Sequence, residues 1–145
     1  MKIYLYLTFI AATLSLNSVA QNKKIEVTEL NLQAFKQKVW NFDRDKTFSR
    51  ANNLPIILDF YATWCRPCKL IVPHLDAIQK KYKGKLMIYR IDVDKEPEIA
   101  QKFNILAMPT IVFIGNQTKY NKELGYREFA ELDQLVQKYI FNLKK

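Results

Sequence analysis

Ile56-Ile57-Leu58-Asp59-Phe60-Tyr61-Ala62 runs directly into Thr63-Trp64-Cys65-Arg66-Pro67-Cys68-Lys69, and the fold is decided at that junction. The first seven residues are a continuous apolar run broken only by Asp59. That pattern predicts a strand covered by helices on both faces, and so a central one. The second stretch opens a helix, with Pro67 tolerated in its first turn. Ile71, Leu75, Ile78 and Tyr82 then recur at helical spacing opposite Lys69, Asp76, Lys80 and Lys83. One helix from near Cys65 to Tyr82 is therefore predicted, kinked by Pro73 in its interior.

Working outward, Leu86 to Val93 predicts another strand, Pro97 to Phe103 a short helix opened by its proline, and Thr110 to Ile114 a β-rich run. Gly115-Asn116 marks a turn before a strand around Lys122 to Gly125. Phe129, Leu132, Leu135, Val136, Tyr139 and Ile140 outline a closing amphipathic helix. On the other side, a first strand is expected within Lys24 to Leu30. Asn31 can cap a helix whose apolar positions are Leu32, Phe35, Val39 and Phe42, and Asp43 to Asn53 reads as a polar connection. Strands alternating with helices predict an α/β fold: a central mixed β-sheet flanked by helices, its last two strands paired as a hairpin. A chain of 145 residues, 49% hydrophobic, can close one such core.

The first twenty residues follow another logic. Met1-Lys2 is a basic start, Ile3 to Leu16 is apolar apart from Thr and Ser, and Ser18-Val19-Ala20 supplies small residues at cleavage spacing. Residues 1–20 are therefore expected to be a signal peptide and residues 21–145 the mature domain, placed in the periplasm or secreted. The apolar run is shorter than the ~20 residues of a spanning helix, so no stable membrane insertion is expected after cleavage. The formal charge is +9, but the lysines scatter along helical faces and the Lys144-Lys145 tail without a basic motif. A solvated surface is the expectation, not a nucleic-acid interface.

Both cysteines sit in the Cys65-Arg66-Pro67-Cys68 segment, whereas structural staples in an exported chain are usually several and widely spaced. Residues three apart on a helix have Cβ atoms about 5–6 Å apart, close to the ~3.5–4.5 Å a disulfide needs. A modest adjustment can join or separate the sulfurs. Cys65 falls at the helix start, where unpaired N–H groups and the positive end of the macrodipole favour a thiolate, and Arg66 adds charge of the same sign. Cys68, one turn deeper, is better placed as the resolving thiol.

Two other readings compete for the pair. Zinc wants four ligands, and the one histidine, His74, is expected to be an exposed helical residue. An inert disulfide would close too small a loop to constrain the unfolded chain much. Asp59, in the middle of a doubly covered strand, should have a raised pKa. It either takes part in proton transfer with the dithiol six residues on, or faces solvent or pairs structurally with a basic residue.

The segment from Asp59 to Lys69 resembles the active-site strand and helix start of the thioredoxin family, and the resemblance extends from about Val27 to Leu143. Pro73 stands where that family kinks its helix, and Met108-Pro109-Thr110 resembles its cis-proline loop. The resemblance implies a thioredoxin fold, with Cys65 as nucleophile, Cys68 as resolving thiol, Asp59 as proton acceptor for Cys68, and a redox-active Cys65–Cys68 disulfide. It further implies a substrate groove framed by Trp64, Arg66, Pro67, Met108, Pro109 and Gly125, with Arg90 and Lys69 as modulating residues. Arg90 falls where plain thioredoxins carry a lysine near the buried aspartate, Tyr61 where many have tryptophan, and Arg66 replaces the glycine of Trp-Cys-Gly-Pro-Cys.

The implied activity is protein disulfide oxidoreduction, in the reducing direction, on disulfide-containing client proteins. The chain would act as a monomer, without metal or cofactor. Reductase work in an oxidising compartment would require a membrane electron donor. The same residues could serve a thiol oxidase or isomerase, and a non-catalytic binding module is the alternative from another class.

Overall fold

The computed structural model describes residues 27–115 and 118–142. The expected signal peptide, Lys24, Asn116 and the Lys144-Lys145 tail lie outside the described residues. In chain order the elements are β1 (Thr28–Glu29), α1 (Leu32–Lys38), β2 (Ile56–Tyr61), α2 (Arg66–Leu70), α3 (Val72–Lys81), β3 (Met87–Asp92), α4 (Pro97–Lys102), β4 (Thr110–Ile114), β5 (Asn121–Leu124) and α5 (Phe129–Tyr139). The strands form one mixed sheet in the order β1-β3-β2-β4-β5. β1, β3 and β2 run parallel, and β4 pairs antiparallel with both β2 and β5.

All six residues of β2 are buried, because alternate side chains face two separate cores. Ile56, Leu58 and Phe60 pack with Phe35, Ile99 and Phe103 on the side of α1 and α4. Ile57 packs with Ile71, Leu75, Ile78, Leu132 and Val136 on the side of α3 and α5. A strand wetted on neither face needs no polar alternation, which is why the apolar run marks the centre of the sheet. Asp59 falls on the α3 and α5 side, one pleat from Ile57, and is fully buried.

The single kinked helix expected between Cys65 and Tyr82 is two helices meeting at Ile71. Pro73 has no N–H to donate, and its ring crowds the carbonyl one turn back, so the ladder stops and restarts with the proline in the first turn of α3. The short α2 is thereby set off as a separate unit carrying the cysteines. α1 is likewise shorter than its apolar spacing suggested. It ends at Lys38, and Phe42 lies in the following turn with its ring 6.2 Å from that of Phe35.

The stretch read as a polar connection holds Phe48, whose ring lies 5.4 Å from Trp40 and 6.1 Å from Phe103. Arg50 ties the same loop to the end of β4 by donating to the carbonyls of Ile114 and Gly115 at 3.3 and 3.4 Å. Gly115 is required where it stands, since a Cβ there would come within 2.2 Å of the Tyr139 carbonyl oxygen. Among the described residues no helix is long and apolar enough to cross a membrane.

Candidate active site

The loop leaving β2 turns at Ala62, whose carbonyl accepts from the Cys65 N–H at 3.1 Å. The turn delivers Cys65 to the N-cap position of α2. Its sulfur occupies the place a serine or aspartate oxygen usually takes at a helix start, accepting from the Cys68 N–H at 3.3 Å. The two sulfurs are joined as a disulfide, with Cα atoms 5.3 Å apart. Cys65 keeps an exposed edge of 5%, while Cys68 is fully buried. A visiting thiol or disulfide therefore meets Cys65 first. A Cys65 thiolate held in this place would accept from the same N–H, a hydrogen bond that favours the charged form.

Tyr61, Ala62, Val93 and Met108 pack around the sulfurs. The Met108–Pro109 bond is cis. Gly125, with φ of 92°, donates its N–H to the Pro109 carbonyl at 2.8 Å, which fastens the end of the hairpin to the cis-proline loop. Trp64 is 69% exposed and its indole N–H donates to Asp94 Oδ2 at 2.9 Å, so the ring stands beside the dithiol on a fixed tether. Arg66 and Pro67 are exposed on the first turn of α2, and Lys69 on its last.

Beneath the dithiol the sheet supplies one charged pair. Arg90 of β3 sits opposite Asp59 of β2 in register and donates from Nε to Asp59 Oδ2 at 2.8 Å. Its Nη2 lies 3.4 Å from the Cys68 carbonyl oxygen. Asp59 Oδ1 is buried with no hydrogen-bond partner, leaving a lone pair free to take a proton. Desolvation pushes the Asp59 pKa up to about 6, against the downward pull of the Arg90 charge and hydrogen bond. A carboxylate poised near neutrality can accept a proton without holding it too tightly.

His74 is not the exposed helical residue expected. It is half-buried, with Nε2 2.9 Å from the Tyr126 hydroxyl and the rings in edge contact. Among the described residues no group of three His, Cys, Asp or Glu side chains could hold a metal ion. Sequence reasoning missed Asp94, and it missed Leu70 and Leu106, which are 55% and 86% exposed. An isolated apolar residue in sequence reads as core, and only the structure shows it turned outward.

With this geometry in place, the comparisons with known proteins agree. The thioredoxin family model matches residues 26–138. Thioredoxin from Borreliella burgdorferi is 32% identical over 115 residues, covering 79% of this chain and 96% of its own length. Chloroplastic thioredoxin M-type from Spinacia oleracea is 36% identical over 95 residues, covering 66% of this chain; the match spans about half (52%) of that relative's length. Among solved structures, mitochondrial thioredoxin 3 from Saccharomyces cerevisiae in its oxidized form superposes with a TM-score of 0.60 at 28% identity, covering 77% of this chain and 94% of its own. Chloroplastic thioredoxin z gives a TM-score of 0.62 at 25% identity, with coverage of 79% and 95%. A Cys-x-x-Cys disulfide at a helix start, a buried aspartate beneath it, a cis-proline loop beside it and a family match over most of the chain converge: this chain belongs to the thioredoxin family of thiol–disulfide oxidoreductases.

Proposed function

We propose that the mature chain reduces disulfides of client proteins in the periplasm or outside the cell, drawing electrons from a membrane donor. In the first step the Cys65 thiolate attacks one sulfur of the client disulfide. A Cys65–client bond forms, the client bond breaks, and the departing client sulfur leaves as a thiolate that takes a proton from water. In the second step Cys68 gives its proton to Asp59 and attacks Cys65 Sγ, closing the internal disulfide and releasing the second client thiolate. Two electrons pass from the dithiol to the client, and the oxidised pair is the state seen here.

The observation that carries this reading is the placement of the ionisable pair Asp59–Arg90 under the buried Cys68. Closing the internal disulfide requires a thiolate at a site closed to water, and a base built there serves that step. The apolar Met108 before the cis proline also favours reduction, by resemblance to reducing members of the family. Trp64, Arg66, Pro67, Met108, Pro109 and Gly125 would frame a shallow groove for an extended client segment pairing with exposed backbone. Export rests on the first twenty residues, with their basic start, apolar run and small residues before the cleavage point.

Direction is tested by the reduction potential of the purified protein equilibrated against glutathione. Reductase work predicts a value of about −270 mV, as for thioredoxin, together with acceleration of insulin reduction by dithiothreitol. A value of about −120 mV would make the chain an oxidase. No acceleration over dithiothreitol alone would leave only a binding module.

A further inference from the structure

Glu29, Arg90 and Asp59 stand in one row across three parallel strands, since Arg90 is in register with Glu29 of β1 on one side and Asp59 of β2 on the other. The Arg90 guanidinium has a further neighbour beside Asp59. Its central carbon Cζ lies over the ring of Tyr61, 3.8 Å from the centroid, and the Tyr61 hydroxyl donates to Glu29 Oε1. Tyr61 is itself buried, and Glu29 is exposed on the edge strand. The planar cation thus has a face contact from Tyr61 and two edge contacts, one to Asp59 and one to the carbonyl of Cys68.

We propose that Glu29 and Tyr61 are positioning residues for closure of the internal disulfide: Glu29 fixes the phenol, and the phenol holds the Arg90 guanidinium across Asp59 and the backbone of Cys68. Arginine suits this place because its rigid fork can stack and bridge at once, which a lysine ammonium cannot do. Released from its platform, Arg90 would swing toward solvent and take its charge from the buried carboxylate. The inference rests on the reading of Asp59 as proton acceptor for Cys68.

Among the described residues, the charged and titratable groups that neighbouring elements bring toward Asp59 are few. They are Arg90 and Asp92 of β3, with Lys95 paired to Asp92 at 3.3 Å; Tyr61 of its own strand; Glu29 of β1; and Cys68 of α2. β4 faces it with Ile111, and α3 contributes apolar Leu75 to the same side. Desolvation raises the Asp59 pKa and Arg90 lowers it, so a loosened Arg90 moves the titration up. Loss of the Glu29 charge acting directly through space would move it down.

The test is the titration of the Asp59 carboxyl carbon by NMR in the oxidised protein, paired with the pH dependence of mixed-disulfide resolution. Tyr61→Phe and Glu29→Ala should each raise the Asp59 midpoint by about half a pH unit or more, and the acidic limb of resolution should move with it. Glu29→Gln, which still accepts from the phenol, should restore the wild-type midpoint. In an Arg90→Lys background the effect of Tyr61→Phe should largely vanish. A midpoint that stays put, or falls in both Glu29 variants, overturns the positioning role. If the midpoint rises as expected while Asp59→Asn resolves at the wild-type rate, the platform stands and the proton-acceptor reading fails.

Discussion

Cys68→Ser protein, reduced and mixed with a disulfide-bearing client, will stop at a covalent adduct through Cys65. Serine cannot close the internal bond, so the first exchange proceeds and the second has no nucleophile. The adduct should persist on non-reducing gels and disappear with excess dithiothreitol, and insulin reduction should fall to the rate of dithiothreitol alone. The fold should survive the change. A disulfide across so short a loop stabilises by only about 2 kcal/mol in the chain-entropy account, and the two hydrophobic layers around β2 do not depend on it. Cys65→Ser should form no adduct, since the remaining sulfur is fully buried. Adducts formed through Cys68 instead would reverse the assigned order.

Asp59→Asn should separate the chemical role of the carboxylate from its cost. With Cys68 deprived of a buried proton acceptor, resolution at pH 7 should slow by about 100-fold. The deficit should narrow as rising pH lets hydroxide do the work. A resolution rate equal to wild type from pH 6 to pH 9 would remove the proton-transfer role.

Stability should move the other way. Asp59 titrates near pH 6 in the folded protein against its ordinary 3.8, so folding binds a proton more tightly than the unfolded chain does. The favourable contribution of the protonated form is complete below about pH 3.8 and is lost as pH rises through about 6. At pH 7 to 8 the ionised, desolvated carboxylate therefore opposes folding by about 3 kcal/mol. Asparagine keeps an acceptor for Arg90 and removes that charge. Denaturant unfolding should find the oxidised variant more stable by an amount of that order at pH 8, with the difference closing by pH 4. A variant no more stable than wild type at pH 8 would contradict the desolvation account.

What the sequence made legible follows from how local each signal is. The β2 run and the cysteines at a helix start are each confined to a few residues, while the Pro109-Thr110 opening of β4 was legible through resemblance. Asp59 could be picked out as an anomaly, a lone carboxylate inside an apolar strand. Its partner Arg90 came only through resemblance, because the pairing depends on strand register and leaves no periodic mark. The Glu29–Tyr61 contact needs two registers at once, across a first strand of only two residues.

Phe42 and Phe48 fill the core from turn and loop, where periodicity cannot reach them, and their ring contacts carry the packing. The sequence marks His74 as exposed because nothing near it announces Tyr126, which approaches from the far end of the hairpin. The break at Ile71 is legible only as a proline; whether the helix bends or restarts is settled by packing on both sides of it.

Catalysis begins with Cys65 as the sulfur that ionises and meets the client. The direct test is the rate of iodoacetamide alkylation of the reduced protein as a function of pH, with the modified site read by mass spectrometry. The expected result is selective alkylation of Cys65 with an inflection at about pH 7, Cys68 remaining unmodified. An inflection at about pH 8.5, the value of an ordinary thiol, or equal labelling of both cysteines, would contradict it.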